Sequence, residues 1–219
     1  MLEFIEVDTA PNPQVSVIWL HGLGADGNDF VPIVDQLDLT GCPPIRFIFP
    51  HANVIPVTVN NGYKMRAWYD ILGPDLVRRE DEAGLRASAT AIDELIEAQV
   101  AQGIPTERIM LAGFSQGCAM TLQTGLRYPQ RLAGLMCLSG YLPLAGMLAA
   151  ERSEANRDIP IFMAHGSSDS VVPIARATAS RDALQALGYA VEWHDYPMPH
   201  SVCPQEVEDI TGWMRRVLG

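Results

Sequence analysis

Nine consecutive residues constrain this chain more than any others: Ile109-Met110-Leu111-Ala112-Gly113-Phe114-Ser115-Gln116-Gly117. An apolar run stops at Gly113-Phe114-Ser115-Gln116-Gly117, which fits G-x-S-x-G, and a helix-compatible segment, Cys118 to Arg127, follows it. A strand, a tight turn and a helix are the context in which this motif lifts a serine hydroxyl to the top of a sheet. The turn strains the serine backbone and leaves no room for a Cβ at the flanking positions, so both are glycine. It also places the Gln116 N–H at the start of a helix, where an anion is favoured. A glycine-rich turn that merely contains a serine is the alternative, and the strand and helix signals on either side argue against it.

The rest of the chain supplies a matching frame. Leu2 to Val7 alternates in part, as an edge strand does, and Pro11-Asn12-Pro13 ends it. Val15 to Leu20 and Ile45 to Phe49 are almost continuously apolar, the mark of strands buried on both faces. Asn28 to Leu37 reads as a short helix. Leu85, Ser88, Ala89, Ile92, Leu95, Ile96, Gln99 and Val100 trace one face of a longer helix, and Gly103-Ile104-Pro105 ends it. Leu132 to Leu138 and Ile159 to Ala164 are further strands, with a loop carrying helical pieces, Ser139 to Glu154, between them. Ile174 to Leu187 is a helix capped by Gly188. Ala190 to Tyr196 alternates like a strand, and Val207, Ile210, Thr211, Met214, Val217 and Leu218 line a final helix. Strands alternating with helices predict an α/β fold: a mostly parallel central sheet with helices on both faces. No repeat or linker interrupts residues 1–219, so one domain is expected. Residues 51 to 82 carry no clear period.

Composition narrows the partners. The net charge of −11 disfavours nucleic acid and anionic membranes. The start of the chain shows no signal peptide, and no stretch reaches the length of a membrane span. Cys42, Cys118, Cys137 and Cys203 form no C-x-x-C pair and read as reduced thiols of a cytoplasmic protein.

Gly22-Leu23-Gly24-Ala25-Asp26-Gly27 matches G-x-G-x-x-G after a strand, which would suit a dinucleotide. That fingerprint also needs an acid at the end of the second strand, where this chain has Phe49-Pro50-His51-Ala52-Asn53. The competing reading is an H-G-x-G loop whose Leu23 N–H joins the Gln116 N–H to hold a developing oxyanion. A serine placed this way takes its partners in chain order, acid and then histidine. Only His194 and His200 come late enough. His194 sits inside a strand, whereas His200 lies in the turn Pro197 to Ser201 and can be lowered onto Ser115, so His200 is the better base. Of the acids, Asp158 precedes its strand, Asp182 is mid-helix and Asp195 shares a strand with His194. Asp169 follows the strand ending at Ala164-His165-Gly166, at the carboxyl end where α/β sites lie. An Asx-turn is the other role open to Asp169. His165 suits a supporting place more than a catalytic one, and the histidines show no metal-ligand spacing.

These motifs together resemble the α/β-hydrolase superfamily. Within it, the chain resembles the small carboxylesterase and acyl-protein thioesterase (phospholipase/carboxylesterase) family. The resemblance rests on Leu20 to Gly27, Trp68-Tyr69-Asp70, Gly113 to Gly117, His165-Gly166 with Asp169, and His200-Ser201-Val202-Cys203. It implies a Ser115, Asp169 and His200 triad, an oxyanion hole of the Leu23 and Gln116 amides, no cofactor, and a leaning towards a homodimer. The expected reaction is hydrolysis of small carboxylic esters, with acyl-protein thioesters or lysophospholipids as alternatives. A hydrolase-fold binding protein without turnover is the remote one. Met65, Trp68, Tyr69, Ile71 and Leu72, in the aperiodic segment, are expected to wall an apolar groove for the acyl chain, unless they are an excursion of the core. Two positions depart from the family pattern: Cys118 and Pro199 stand where glycines are usual.

Overall fold

The computed structural model describes residues 1–73 and 80–219. Seven strands form one sheet in the order β1-β3-β2-β6-β7-β8-β9. They are β1 (Phe4–Asp8), β2 (Val15–Leu20), β3 (Ile45–Pro50), β6 (Ile109–Phe114), β7 (Gly134–Leu138), β8 (Ile161–Gly166) and β9 (Val191–Tyr196). All neighbours are parallel except β1, which runs antiparallel along β3 at the edge. A separate antiparallel hairpin, β4 (Val54–Val57) and β5 (Tyr63–Arg66), lies within the segment that lacks a sequence period. The helices are α1 (Glu82–Ala101), α2 (Gln116–Gly125), α3 (Ala145–Glu151), α4 (Ile174–Ala186) and α5 (Pro204–Leu218).

Period-2 side chains divide the core in two. Ile18 and Leu20 of β2 face α1, α2, α3 and α4, together with Ile92, Leu122, Leu148 and Leu184. Val17 and Trp19 face the other way, onto Ile210, Trp213 and Met214 of α5. A strand with helices on both sides has no polar face to spare, which is why β2 is buried at every position. On α1, Leu85, Ile92, Leu95, Ile96 and Gln99 are buried as the stripe predicts, but Val100 is 40% exposed at the helix end. The expected helix over Asn28 to Leu37 is instead two 3-10 turns, Gly27–Asp29 and Val31–Gln36; Asp26 caps the first and Pro32 opens the second. Short 3-10 turns suit a crossover this brief.

One buried acid stands out in α5. Glu206, in the first turn, is fully buried, and neither carboxyl oxygen has a hydrogen-bond partner among the described residues. Burial pushes its pKa up from 4.5 to about 8; the nearby Cys203 backbone N–H, outside hydrogen-bond geometry, opposes the shift and Asp209 adds to it. Between those two pH values the folded protein holds a proton that the unfolded chain releases, so stability falls as pH rises through this window. Glu206→Gln removes the dependence. In urea melts its stability relative to wild type should climb by about 1.4 kcal/mol per pH unit between pH 5 and 7.5. A constant difference over that range would mean Glu206 is not held protonated.

Candidate active site

Four carboxyl ends of parallel strands converge. At the end of β6 the chain turns through Ser115, whose backbone takes φ 57°, ψ −115°, into α2. A positive φ at a residue with a Cβ is strained, and the strain is held by its neighbours. Ser115 N–H donates to the Leu138 carbonyl at 2.8 Å, and the Ser115 carbonyl accepts from Ala119 N–H at 3.2 Å. A Cβ at Gly117 would overlap the Leu20 carbonyl, and one at Gly113 would overlap the Gly117 backbone. Both glycines are therefore required by close approach.

His200 and Asp169 meet Ser115 from separate loops. His200 Nε2 is 2.9 Å from Ser115 Oγ. His200 Nδ1 is 2.6 Å from Asp169 Oδ2, and the Asp169 side chain is fully buried. The other carboxylate oxygen, Oδ1, accepts from the Val171 and Val172 N–H groups at 2.8 and 2.9 Å. Asp169 thus makes the Asx-type turn and faces the imidazole at once. His200 is carried on the turn between β9 and α5, where Ser168 N–H holds the Met198 carbonyl at 3.1 Å and Gly166 packs against Met198 and Pro199. Pro199 leaves the ring within reach of Ser115, tilted against Phe114 at 4.7 Å between centroids. Cys118, the other departure, fills the space that Gly140 leaves open beneath the turn.

The competing residues are engaged elsewhere. His194 lies between Glu192, at 3.2 Å, and Asp209, at 3.6 Å, and stacks on Phe162 and Tyr196. Asp158 pairs with Arg131, Asp182 with Arg181, and Asp195 with Trp193 Nε1.

An apolar cleft of about 340 Å³ opens beside Ser115, bordered by Leu23, Gln116, Tyr69, Ile71, Tyr141 and Val172, with Val59 and Val171 at its rim. Leu23 and Gln116 therefore share the cleft with the serine. Tyr69 and Ile71 also line it. Met65, Trp68 and Leu72 are not among the described residues that border it. Trp68 is core: it is 3% exposed and its Nε1–H donates to the His21 carbonyl at 2.9 Å. Met65 sits on β5, with its sulfur beside Asn60 and Gly24. The neighbouring residues 74–79 of the aperiodic segment lie outside the described residues.

Two supports escape a motif search. The Gln116 side chain accepts from Trp68 N–H at 2.8 Å and donates to the Tyr69 carbonyl at 2.7 Å, joining the cleft wall to the turn after Ser115. His21 Nδ1–H donates to the Gly22 carbonyl at 2.7 Å, while its Nε2 accepts from Ala52 N–H at 3.0 Å. Burial lowers the His21 pKa, so a neutral imidazole of fixed tautomer braces the loop carrying Leu23. Across the cleft, the Tyr69 and Tyr141 hydroxyls are 2.7 Å apart, and the Arg176 guanidinium lies 3.6 Å from the Tyr141 ring centroid. Among the described residues there is no group of three or more His, Cys, Asp or Glu that could hold a metal ion, and no helix long and apolar enough to cross a membrane.

Comparison with known proteins shows the family. The phospholipase/carboxylesterase family profile matches residues 3–218. Acyl-protein thioesterase 1 of Cryptococcus neoformans is 37% identical, over 99% of this chain and 98% of its own length. The crystal structure of Arabidopsis thaliana SOBER1 superposes with a TM-score of 0.88 at 31% identity, covering 94% of this chain and 99% of that one. Zea mays acyl-protein thioesterase 2 gives a TM-score of 0.84 at 29% identity, over 98% and 99% of the two chains.

The two glycine classes give a test of the packing. Gly117→Ala forces a Cβ into the Leu20 carbonyl and should cost about 1–3 kcal/mol. Gly146→Ala on α3 meets nothing within 4 Å and should gain about 0.5–1 kcal/mol. Denaturant melts that rank the two variants the other way would contradict the close approach of α2 to β2.

Proposed function

Because the chain belongs to the phospholipase/carboxylesterase family, we propose that it hydrolyses carboxylic esters through an acyl-serine intermediate, with Ser115 as nucleophile, His200 as base and Asp169 as its orienting carboxylate. The observation that carries the reading is the unbroken run from Ser115 Oγ through the His200 ring to Asp169, at 2.9 and 2.6 Å. Asp169 accepts the Nδ1–H, so His200 Nε2 is left to accept the serine proton. Ser115 Oγ then bonds the acyl carbon. The carbonyl oxygen becomes an oxyanion, and the Leu23 and Gln116 N–H groups donate to it at the mouth of α2. Collapse expels the alkoxide, which takes the proton from His200. A water repeats the sequence against the acyl-serine and releases the acid. Nucleophile, base and oxyanion donors are all groups of the chain, so the scheme needs no cofactor.

The apolar cleft supports an alkyl acyl group. Tyr69 and Ile71 form one side of it, and the Val171–Val172 segment the other. Thioesters are the second reading, favoured by the acyl-protein thioesterases among the relatives, because the same acyl-serine chemistry cleaves either bond. Four cysteines outside any disulfide suit a reducing compartment such as the cytoplasm.

Ser115→Ala should keep the wild-type melting temperature and lose several powers of ten in kcat on nitrophenyl esters. A serine-directed fluorophosphonate should label wild-type protein stoichiometrically at Ser115. Folded protein that resists the probe would instead be a binding protein. Along a series of esters from acetate upward, kcat/KM should rise about threefold to fourfold per methylene and fall once the cleft is full. Ile71→Ala should move that optimum to longer chains. An unchanged optimum would place the acyl chain elsewhere. Matched ester and thioester substrates decide between the two readings by their kcat/KM ratio.

A further inference from the structure

His165 is the penultimate residue of β8 and is completely buried. Its Nε2 lies 2.7 Å from the Val172 carbonyl oxygen. A carbonyl only accepts, so Nε2 carries the proton. Nδ1 is then the bare nitrogen, and it is buried without a partner among the described residues. The ring also lies against Asp169, with Nε2 3.3 Å from Oδ2, the oxygen that faces His200. Val172 in turn donates its own N–H to Asp169 Oδ1. The imidazole, the Val172 peptide and Asp169 Oδ1 are therefore linked in one chain of hydrogen bonds, while His200 holds Oδ2. A carboxylate gripped on both oxygens cannot rotate about its Cβ–Cγ bond without losing charge-assisted hydrogen bonds.

We propose that His165 is a positioning residue: as a neutral imidazole it locks the Asp169 carboxylate and the Val171–Val172 cleft wall in one arrangement, and so fixes the direction from which Asp169 holds His200. The inference rests on the acyl-serine reading and deepens it. The titratable groups that bear on His165 are Asp169 and, behind it, His200. Asp195, opposite His165 in the register of β9, is bonded to Trp193 instead. Burial depresses the His165 pKa most, with the Val172 carbonyl and Asp169 opposing and His200 adding, which keeps the ring neutral in the working range.

A ring that merely fills space would be replaced by phenylalanine without chemical consequence. If the His165 N–H anchors the Val172 peptide, His165→Phe frees that peptide and leaves the carboxylate charge less firmly hydrogen-bonded through Oδ1. Asp169 then attracts the His200 imidazolium more strongly, and the acid limb of the kcat/KM profile moves to higher pH, by roughly half a unit or more. The same variant should lose about tenfold to a hundredfold in kcat. His165→Gln, with an N–H at the reach of Nε2, should restore most of both. His165→Asn, whose amide is too short, should not. Should the phenylalanine variant fail to fold, the Gln and Asn pair carries the test. An acid limb at the wild-type pH in His165→Phe, or coincident profiles for Gln and Asn, would overturn the proposal. Wild-type protein that neither cleaves nitrophenyl esters nor takes the fluorophosphonate would defeat the acyl-serine reading itself, a separate outcome.

Discussion

Helix α2 starts against the end of β2, backbone to backbone, and only the missing side chain of Gly117 lets it approach the Leu20 carbonyl. That contact sets where the helix N-terminus points and where the serine hydroxyl emerges. It also puts the Gln116 and Leu23 amides on one cleft, because Leu23 lies three residues beyond the end of the strand that α2 touches. A similar approach recurs at β8, where Gly166 meets the Met198 and Pro199 carbonyls and brings the His200 turn over the sheet. The site is built from strand ends that can come this close only where a side chain is missing. Larger residues there would separate the loops by an ångström or more, and hydrogen bonds of 2.6 to 2.9 Å would open.

Around this contact the histidines divide by environment. His21 and His165 are buried, each donates one ring N–H to a backbone carbonyl, and burial depresses the pKa of both. They act as neutral braces, one for the loop of Leu23 and one for Asp169. His200 is the histidine that faces Ser115, partly open to solvent on a loop rather than packed in a strand. The Asp169 carboxylate stands behind the ring and holds its orientation. The apolar cleft adds a second layer of order, since Gln116 pins the Trp68–Tyr69 backbone to the same turn that carries Ser115. The cleft wall and the Ser115 turn thereby share one scaffold.

Much of this was legible in the chain. β2, β3 and β6 are apolar at nearly every position because helices cover both faces, and such runs are visible without a structure. The turn at Ser115 is legible because its two close approaches admit only glycine. His200 and Asp169 could be chosen because chain order and the carboxyl ends of strands leave few candidates. The β4–β5 hairpin was not legible: Val54, Pro56, Tyr63 and Lys64 are largely solvated, so no buried face imposes a period. Trp68 was ambiguous for a related reason. An aromatic residue in an aperiodic segment looks the same whether it walls a groove or plugs the core, and only the bond from its indole N–H to the His21 carbonyl separates the two. The side-chain roles of Gln116 and His21 depend on partners 47 and 31 residues away in sequence, which no local pattern encodes.

The proposed function turns on whether an acyl group passes through Ser115. The direct measurement is intact-protein mass spectrometry of a His200→Gln variant quenched shortly after mixing with a nitrophenyl ester, followed by peptide mapping. With the base removed, deacylation slows along with acylation, and at high ester concentration the slower release leaves the adduct to accumulate. The account predicts a mass increase of one acyl group, located on the peptide containing Ser115 and absent from the His200→Gln, Ser115→Ala double variant. An acyl group found on another residue, or ester turnover in wild type with a Ser115 peptide that never gains mass, would contradict it.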